Sequence, residues 1–134
     1  MIGQPYFGEI GNTRTSTVHV IDSRGALVAV EVHTRINAAA DPELAEQLRD
    51  DSLNVVQLGG GEMRIAVPVV YHDPAARLMV LVLGDAHRHR EIEERIRLLE
   101  QLRDDVADIP GYAKDFVVVF GAEGLRALLA DRAR

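Results

Sequence analysis

Two segments of this chain share one arrangement, in which an alternating apolar pattern runs into a glycine turn and a second apolar strand follows. The first is Val18–Gly25 and the second is Asn54–Gly61. Two hairpins of this kind are laid out like the knuckles of a zinc ribbon, where each turn carries a pair of cysteines. The chain has no cysteine. The turns therefore predict two neighbouring hairpins that lack the thiolates needed to bind a metal between them.

The ligand positions of such a ribbon would be Ile21, Arg24, Gln57 and Gly60. Aliphatic and glycine residues offer no side-chain donor, arginine is cationic, and glutamine is a poor zinc ligand. We therefore expect no metal and no cofactor. Instead, we expect Ile21 and Leu58 to close the space by apolar packing, with the two turns still side by side.

Length and charge narrow the class of protein. A chain of 134 residues fits one domain, 1–134, which is large enough to fold without disulfides or metal. The net charge of -6 argues against binding to nucleic acid or an anionic membrane, because both require a cationic face. The sequence also lacks a signal-peptide pattern and any apolar run of the ~20 residues that a membrane span needs. These features predict a cytoplasmic protein.

The apolar periodicity predicts strands and helices along the chain. Strands are predicted over 16–21, 26–36, 53–58, 62–71, 78–83 and 116–120, after a loosely structured lead-in over 1–15. Helices are predicted over 42–51 with Asp41 as N-cap, over 86–107, and after Gly121. The strands at 78–83 and 116–120 are apolar throughout, so we expect both to be buried on both faces.

This order of elements predicts an α+β fold. Antiparallel β-hairpins would form a small sheet or sandwich, zinc-ribbon-like without metal, packed with one long helix and a C-terminal βα unit. Pro68 removes one ladder donor from the strand over 62–71, so we expect an edge position or a bulge there.

Three segments carry a resemblance to a known family: Asp41–Leu44, Leu53–Val55, and Pro68–Asp73 where it enters an apolar strand. Over about residues 17–102 the chain resembles the bacterial and archaeal CpXC domain family, named for two Cys-Pro-x-Cys motifs. The motifs fall on the four positions described above, where no cysteine remains. The resemblance implies a zinc-ribbon-like module of unknown activity, here a variant that lacks all four cysteines.

Tyr71, His72 and Asp73 form the one candidate polar site. Consecutive strand residues point to opposite faces, and no nucleophile with a matched base is apparent in the sequence. Asp73 precedes a proline, which is typical of a turn whose carboxylate accepts backbone N–H groups. We therefore expect Asp73 to stabilise a turn. A small hydrolase that uses His72 and Asp73 is the least favoured interpretation.

The long predicted helix carries one apolar stripe: Ile92, Ile96, Leu99, Leu102, Val106 and Ile109. This stripe either packs on the sheet or lies partly in a dimer interface formed by Ile92, Ile96 and Leu99, with Leu98 as a second apolar edge. Glutamates interleave with the arginines of this helix, so its surface is not cationic overall.

The sequence thus predicts a non-catalytic, metal-free interaction or assembly module. We expect a homodimer with a further, unidentified protein partner and with no membrane partner. The alternative is a degenerate zinc-ribbon-like module that binds nucleic acid or a nucleic-acid-processing partner. The two interpretations differ in the surface they require, which is apolar for the first and cationic for the second.

Overall fold

The computed structural model describes residues 11–105 and 109–133, which form a five-stranded sheet, a two-stranded sheet and the helices around them. The strands are β1 (Arg14–Ile21), β2 (Leu27–Asn37), β3 (Val55–Leu58), β4 (Gly61–Arg64), β5 (Val69–Asp73), β6 (Leu78–Leu83) and β7 (Val117–Phe120). The helices are α1 (Pro42–Arg49), α2 (Glu91–Asp105), the single turn α3 (Gly111–Lys114) and α4 (Gly121–Arg132). A 3-10 segment, Asp85–Arg90, leads into α2.

The larger sheet has the strand order β1-β2-β5-β6-β7. The hairpins β1–β2 and β5–β6 are antiparallel, whereas β2–β5 and β6–β7 pair in parallel. Both parallel pairs arise because the chain crosses over through helices between the paired strands. The α+β class, the hairpins, the long helix and the C-terminal βα unit are confirmed, and the sheet is mixed rather than purely antiparallel.

Strand β6 lies at the centre of the core and is buried at all six positions, as predicted. On one face of the sheet the core includes Leu98 and Leu102 of α2, and on the other it includes Leu48 of α1 and Leu125 of α4. The same expectation for 116–120 is wrong. Strand β7 is half-buried at every position because it lies at the edge of the sheet, and only Phe116, just before the strand, is buried.

Two further predicted elements differ from the structure. The strand predicted over 62–71 is split into β4 and β5, and Pro68 lies in the connection between them rather than at an edge position. Asp41 stands at the N-cap of α1 but makes no capping hydrogen bond through its side chain. The side chain of Asn37 instead accepts the N–H groups of Ala39 and Ala40, at 3.0 and 3.1 Å, and so shapes the turn that enters α1.

The long predicted helix also begins later than expected. Residues 85–90 form the 3-10 segment and α2 covers 91–105, while positions 106 and 107 of the prediction lie outside the described residues. Most of the predicted lead-in, residues 1–10, lies outside them too. Among the helices that the structure describes, none is long and apolar enough to cross a membrane.

The β1–β2 hairpin extends past the rest of the sheet. Strand β2 pairs with β5 only through Arg35–Asn37, so its earlier residues pair with β1 alone. The β3–β4 hairpin lies beside this extension, and we call the two hairpins together the β arm. Near its base, the side-chain amide of Asn54 accepts the N–H of His33 at 2.7 Å and donates to the carbonyl of His33 at 2.9 Å.

Candidate functional site

The two glycine turns meet at the tip of the β arm. The hydroxyl of Ser23 donates to the carbonyl of Gly59 at 3.2 Å. A Cβ atom on Gly59 would lie 2.6 Å from the same hydroxyl oxygen, so the two turns approach as closely as glycine allows. Asp22 holds the first turn, since its carboxylate accepts the N–H groups of Arg24 and Ala26, each at 2.9 Å. The expectation that the turns remain side by side is confirmed.

The four positions of the family's cysteines do not fit zinc. Ile21 and Gly60 have no side-chain donor, Arg24 is exposed and cationic, and the amide nitrogen of Gln57 donates to Glu62 at 3.2 Å. Across the part of the chain that the structure describes, no group of three or more histidine or carboxylate side chains could hold a metal ion. The side chains at the turns therefore give no basis for metal chemistry.

Apolar packing has not taken the place of the ligands either. Ile21 is 57% exposed, and Leu27, directly opposite it in the hairpin, is 67% exposed. Leu58 is half-buried. The expectation that Ile21 closes the space is wrong, because the tip of the hairpin projects beyond the sheet that would cover it. The hydrogen bond from the Ser23 hydroxyl to the backbone carbonyl of Gly59 joins the turns instead.

The three residues of the candidate polar site do not form one site. Tyr71 faces the core under α1 and α4, whereas His72 faces the opposite side of the sheet. Nδ1 of His72 lies 3.0 Å from the carbonyl oxygen of Gly11, and its Nε2 lies 2.9 Å from the hydroxyl of Tyr112. The carboxylate of Asp73 accepts the N–H of Ala76 at 3.2 Å, which is the predicted role in the turn.

The hydrogen bonds of His72 define the tautomer of its neutral form. A carbonyl oxygen can only accept, so Nδ1 carries the proton and the unprotonated Nε2 accepts from the hydroxyl of Tyr112. The side chain is buried, and burial lowers its pKa below the ordinary value despite the opposing effects of Gly11 and Asp73. Burial also raises the pKa of Tyr112, which keeps its hydroxyl protonated as a donor.

Helix α2 presents two apolar edges rather than one stripe. Leu98 and Leu102, at 2% and 0% exposure, pack into the core against the sheet. Ile92, Ile96 and Leu99 point outward and are 72%, 51% and 38% exposed. Leu98 is therefore wrong as an interface residue, because its side of the helix is the one that anchors α2. We call the exposed trio the α2 face.

The rest of the predicted stripe lies beyond α2. Val106 is outside the described residues, and Ile109 is half-buried against the core on the α2 side of the sheet. The arginines along this part of the chain have acidic partners: Arg88 with Asp85, Arg90 with Glu93, Arg95 with Glu91, and Arg97 with Glu94. The surface beside the α2 face is therefore of mixed charge.

A cleft of about 600 Å³ opens where β6 and β7 end. Arginine and acidic side chains line it in equal number: Arg64, Arg88 and Arg126 with Asp51, Asp85 and Glu123. Each guanidinium already has a partner, since Arg64 and Arg88 pair with aspartates and Arg126 donates to the carbonyl of Arg49. The charges are balanced, so the cleft does not select a ligand of either sign.

No local pattern in the sequence identifies the hydrogen-bond partners of His72. Tyr112 is 40 residues from His72, and Gly11 is 61 residues from it. A single tyrosine beside Pro110-Gly111 carries no signal that it would meet a particular histidine. Only the fold, which places α3 against the sheet, brings the two side chains together.

Comparison with known proteins gives one match. Neither a curated protein nor a solved structure matches the chain significantly. The family model described as CpXC protein matches residues 25–125, which is most of the 134-residue chain; the match begins at the glycine of the first turn and includes the whole second turn. The match confirms the resemblance seen in the sequence. With its paired glycine turns side by side and no cysteine in either, the chain belongs to the CpXC family.

Proposed function

We propose that this protein is a metal-free assembly module that associates with a second copy of itself through the α2 face. One observation carries the proposal: Ile92, Ile96 and Leu99 are exposed on a single stripe of a helix. Exposed apolar residues scattered singly are ordinary on a soluble protein, whereas several grouped on one face mark an interaction surface.

The helix that carries this face is held rigidly. Leu98 and Leu102 anchor it from behind, and its salt bridges to neighbouring turns, such as Arg95 to Glu91 at 2.8 Å, support its helical form. A preorganised surface loses little conformational entropy when it binds. Fully burying an aliphatic side chain gives about 1.5–3 kcal/mol, and association costs about 4 kcal/mol or more. We therefore expect a dimer of micromolar rather than nanomolar affinity.

We propose that the protein is not a catalyst. Both ring nitrogens of His72 have hydrogen-bond partners, and the carboxylate of Asp73 is bonded within its turn. These contacts support structural roles for both residues. We also propose that this is a bacterial, cytoplasmic protein, as the family resemblance suggests, and that its further partner is a protein, because the acidic net charge disfavours nucleic acid and anionic membranes.

The test compares two aspartate substitutions at equally exposed apolar sites. Ile92→Asp places a charge in the α2 face, and Leu27→Asp places the same charge at the tip of the β arm, where exposure is similar. In sedimentation equilibrium at about 100 µM, well above a micromolar dissociation constant, the wild type and Leu27→Asp should approach twice the monomer mass of 14.7 kDa. Ile92→Asp should sediment as the monomer, with an unchanged circular dichroism spectrum.

Two results would contradict the proposal. A wild-type protein that remains monomeric up to about 100 µM, where a micromolar dimer would be well populated, would remove self-association. A dimer that survives Ile92→Asp and Ile96→Asp but is lost with Leu27→Asp would move the contact to the β arm.

A further inference from the structure

The charges beside the α2 face specify how two copies would meet. We infer that the partner is a second copy of the chain and that the α2 helices of the two copies lie parallel to each other. This inference rests on the self-association proposed above. The two-fold axis would then run along the helices.

The apolar residues follow the spacing of a short helix pair. Ile92 and Leu99 are seven residues apart and Ile96 lies between them, at steps of four and three. This is the spacing with which residues of two helices interlock across a common seam. Helix α2 has 15 residues and is about 22 Å long, so the apolar seam covers about two turns. Such a short seam does not determine whether the two helices run parallel or antiparallel, and the flanking charges decide it.

The two sides of the seam carry opposite charges. At about 100° per residue, Arg95 lies about 70° to one side of the centre line and Glu100 lies at a similar angle on the other side, as does Glu93. In a parallel pair, each side of one helix meets the opposite side of its partner, five residues further along. Arg95 would therefore meet Glu100 of the partner subunit, and by symmetry this contact occurs twice.

An antiparallel pair would bring like charges together. Each side then meets the same side of the partner, so glutamates at positions 93 and 100 would lie opposite one another. Like charges across an interface oppose association, so the charges favour the parallel arrangement over the antiparallel one. The parallel pairing is compatible with the existing bond between Arg95 and Glu91, because a guanidinium has five donors and can serve two carboxylates.

The seam has a defined end. Arg103 takes the next position along it and is exposed. In a parallel pair the two copies of Arg103 would have to turn outward to solvent, which their long side chains permit. A two-fold axis along α2 also places every element at the same height in both copies.

Cysteine crosslinking can test orientation without interference, because the chain has no cysteine of its own. Ile92→Cys and Leu99→Cys are prepared as separate variants and oxidised mildly, alone and mixed. In a parallel pair, position 92 meets its own counterpart, as does position 99, so each variant should form a disulfide dimer alone. Mixed crosslinks between 92 and 99 would span about 10 Å along the axis, beyond the ~7 Å that a disulfide allows between Cα atoms.

The outcomes separate orientation from association. Preferential 92-to-99 crosslinking would overturn the parallel orientation and leave self-association intact. Crosslinking no faster than in a Leu27→Cys control, in a protein that sediments as a dimer, would overturn the α2 contact itself. The same slow crosslinking in a monomeric protein would overturn both proposals.

A charge exchange gives an independent check on the pairing. Glu100→Arg should weaken the dimer by about threefold to tenfold at low salt, since two exposed ion pairs would become repulsive contacts. Adding Arg95→Glu to the same chain should restore most of the affinity, because the pair is then reversed. A double variant weaker than Glu100→Arg alone would contradict the contact between Arg95 and Glu100 of the partner subunit.

Discussion

His72 is held between a carbonyl oxygen and a tyrosine hydroxyl, and its burial favours the neutral imidazole over the charged form. Protonating His72 would give Nε2 a hydrogen that points at the hydroxyl of Tyr112 and would place a charge in the core. Asp73 favours the charged form, and Arg77 lies 5.9 Å from the centre of the Tyr112 ring. Burial outweighs the attraction of Asp73, and the net effect lowers the pKa of His72.

This shift makes the stability of the fold depend on pH. Below the ordinary histidine pKa of 6.5, the unfolded chain binds a proton at this side chain before the folded chain does. The contribution of neutral His72 to the free energy of unfolding should therefore be fully present above pH 6.5. It should decrease as the pH drops below 6.5, by at most about 1.4 kcal/mol per pH unit. Urea denaturation at pH 7.5 and pH 5.5 measures the loss.

The matched variants for this prediction are His72→Gln and His89→Gln. His72→Gln cannot titrate, so the difference in unfolding free energy between the two pH values should shrink. His89 is exposed on the 3-10 segment, and its replacement should leave the wild-type difference in place. An equal pH effect in wild type and His72→Gln would show that other groups cause it.

At the scale of elements, one side chain joins the two hairpins of the β arm. Asn54 takes a left-handed backbone conformation, with φ of 62°, and its amide makes two hydrogen bonds to the backbone of His33. The amide thereby completes the bonding that a neighbouring strand would otherwise supply. Asparagine suits the position because it tolerates positive φ and offers both an acceptor and a donor.

Substitutions at Asn54 should separate these contributions. Asn54→Asp keeps the acceptor for the N–H of His33 and loses the donor to its carbonyl, at a cost of about 1 kcal/mol. Asn54→Gly keeps the backbone freedom and loses both bonds, so it should destabilise the protein by about 1–3 kcal/mol. Urea denaturation measures the free energy of unfolding of each protein, which should decrease from wild type to Asn54→Asp to Asn54→Gly. A glycine variant as stable as the wild type would mean that the hairpins are held by other contacts.

Features that depend on neighbouring residues can be predicted from the sequence, whereas contacts between residues far apart in the chain cannot. The bounds of strand β6 follow from the sequence alone, because six consecutive apolar residues between turn residues indicate a strand buried on both faces. The two edges of α2 could not be distinguished, since Leu98 and Leu99 both continue plausible apolar spacings and only the position of the sheet decides which is buried. The bonds of Asn54 and His72 join residues far apart in sequence, so no local pattern reveals them.

The whole molecule consists of a body, in which helices pack on both faces of the sheet, and the β arm, whose tip lies outside the two hydrophobic clusters of the core. Helices cover both faces of the central strands, and β6 is buried along its full length. The β arm joins this body through three residue pairs between β2 and β5, and its tip carries exposed Ile21 and Leu27. Opening the tip would break few buried apolar contacts, whereas opening β6 would break the core.

Hydrogen exchange should therefore divide the chain into two stability levels. Amides of β5 and β6 are expected to exchange only by global unfolding, and those around the turn at 21–27 by local opening of lower free energy. Exchange followed by mass spectrometry under native conditions gives the rates peptide by peptide. Adding ~1 M urea should accelerate β6 strongly and the arm tip little, because global opening exposes far more surface. If the tip were as slow as β6 and equally sensitive to urea, the arm would unfold together with the core and the two stability levels would not exist.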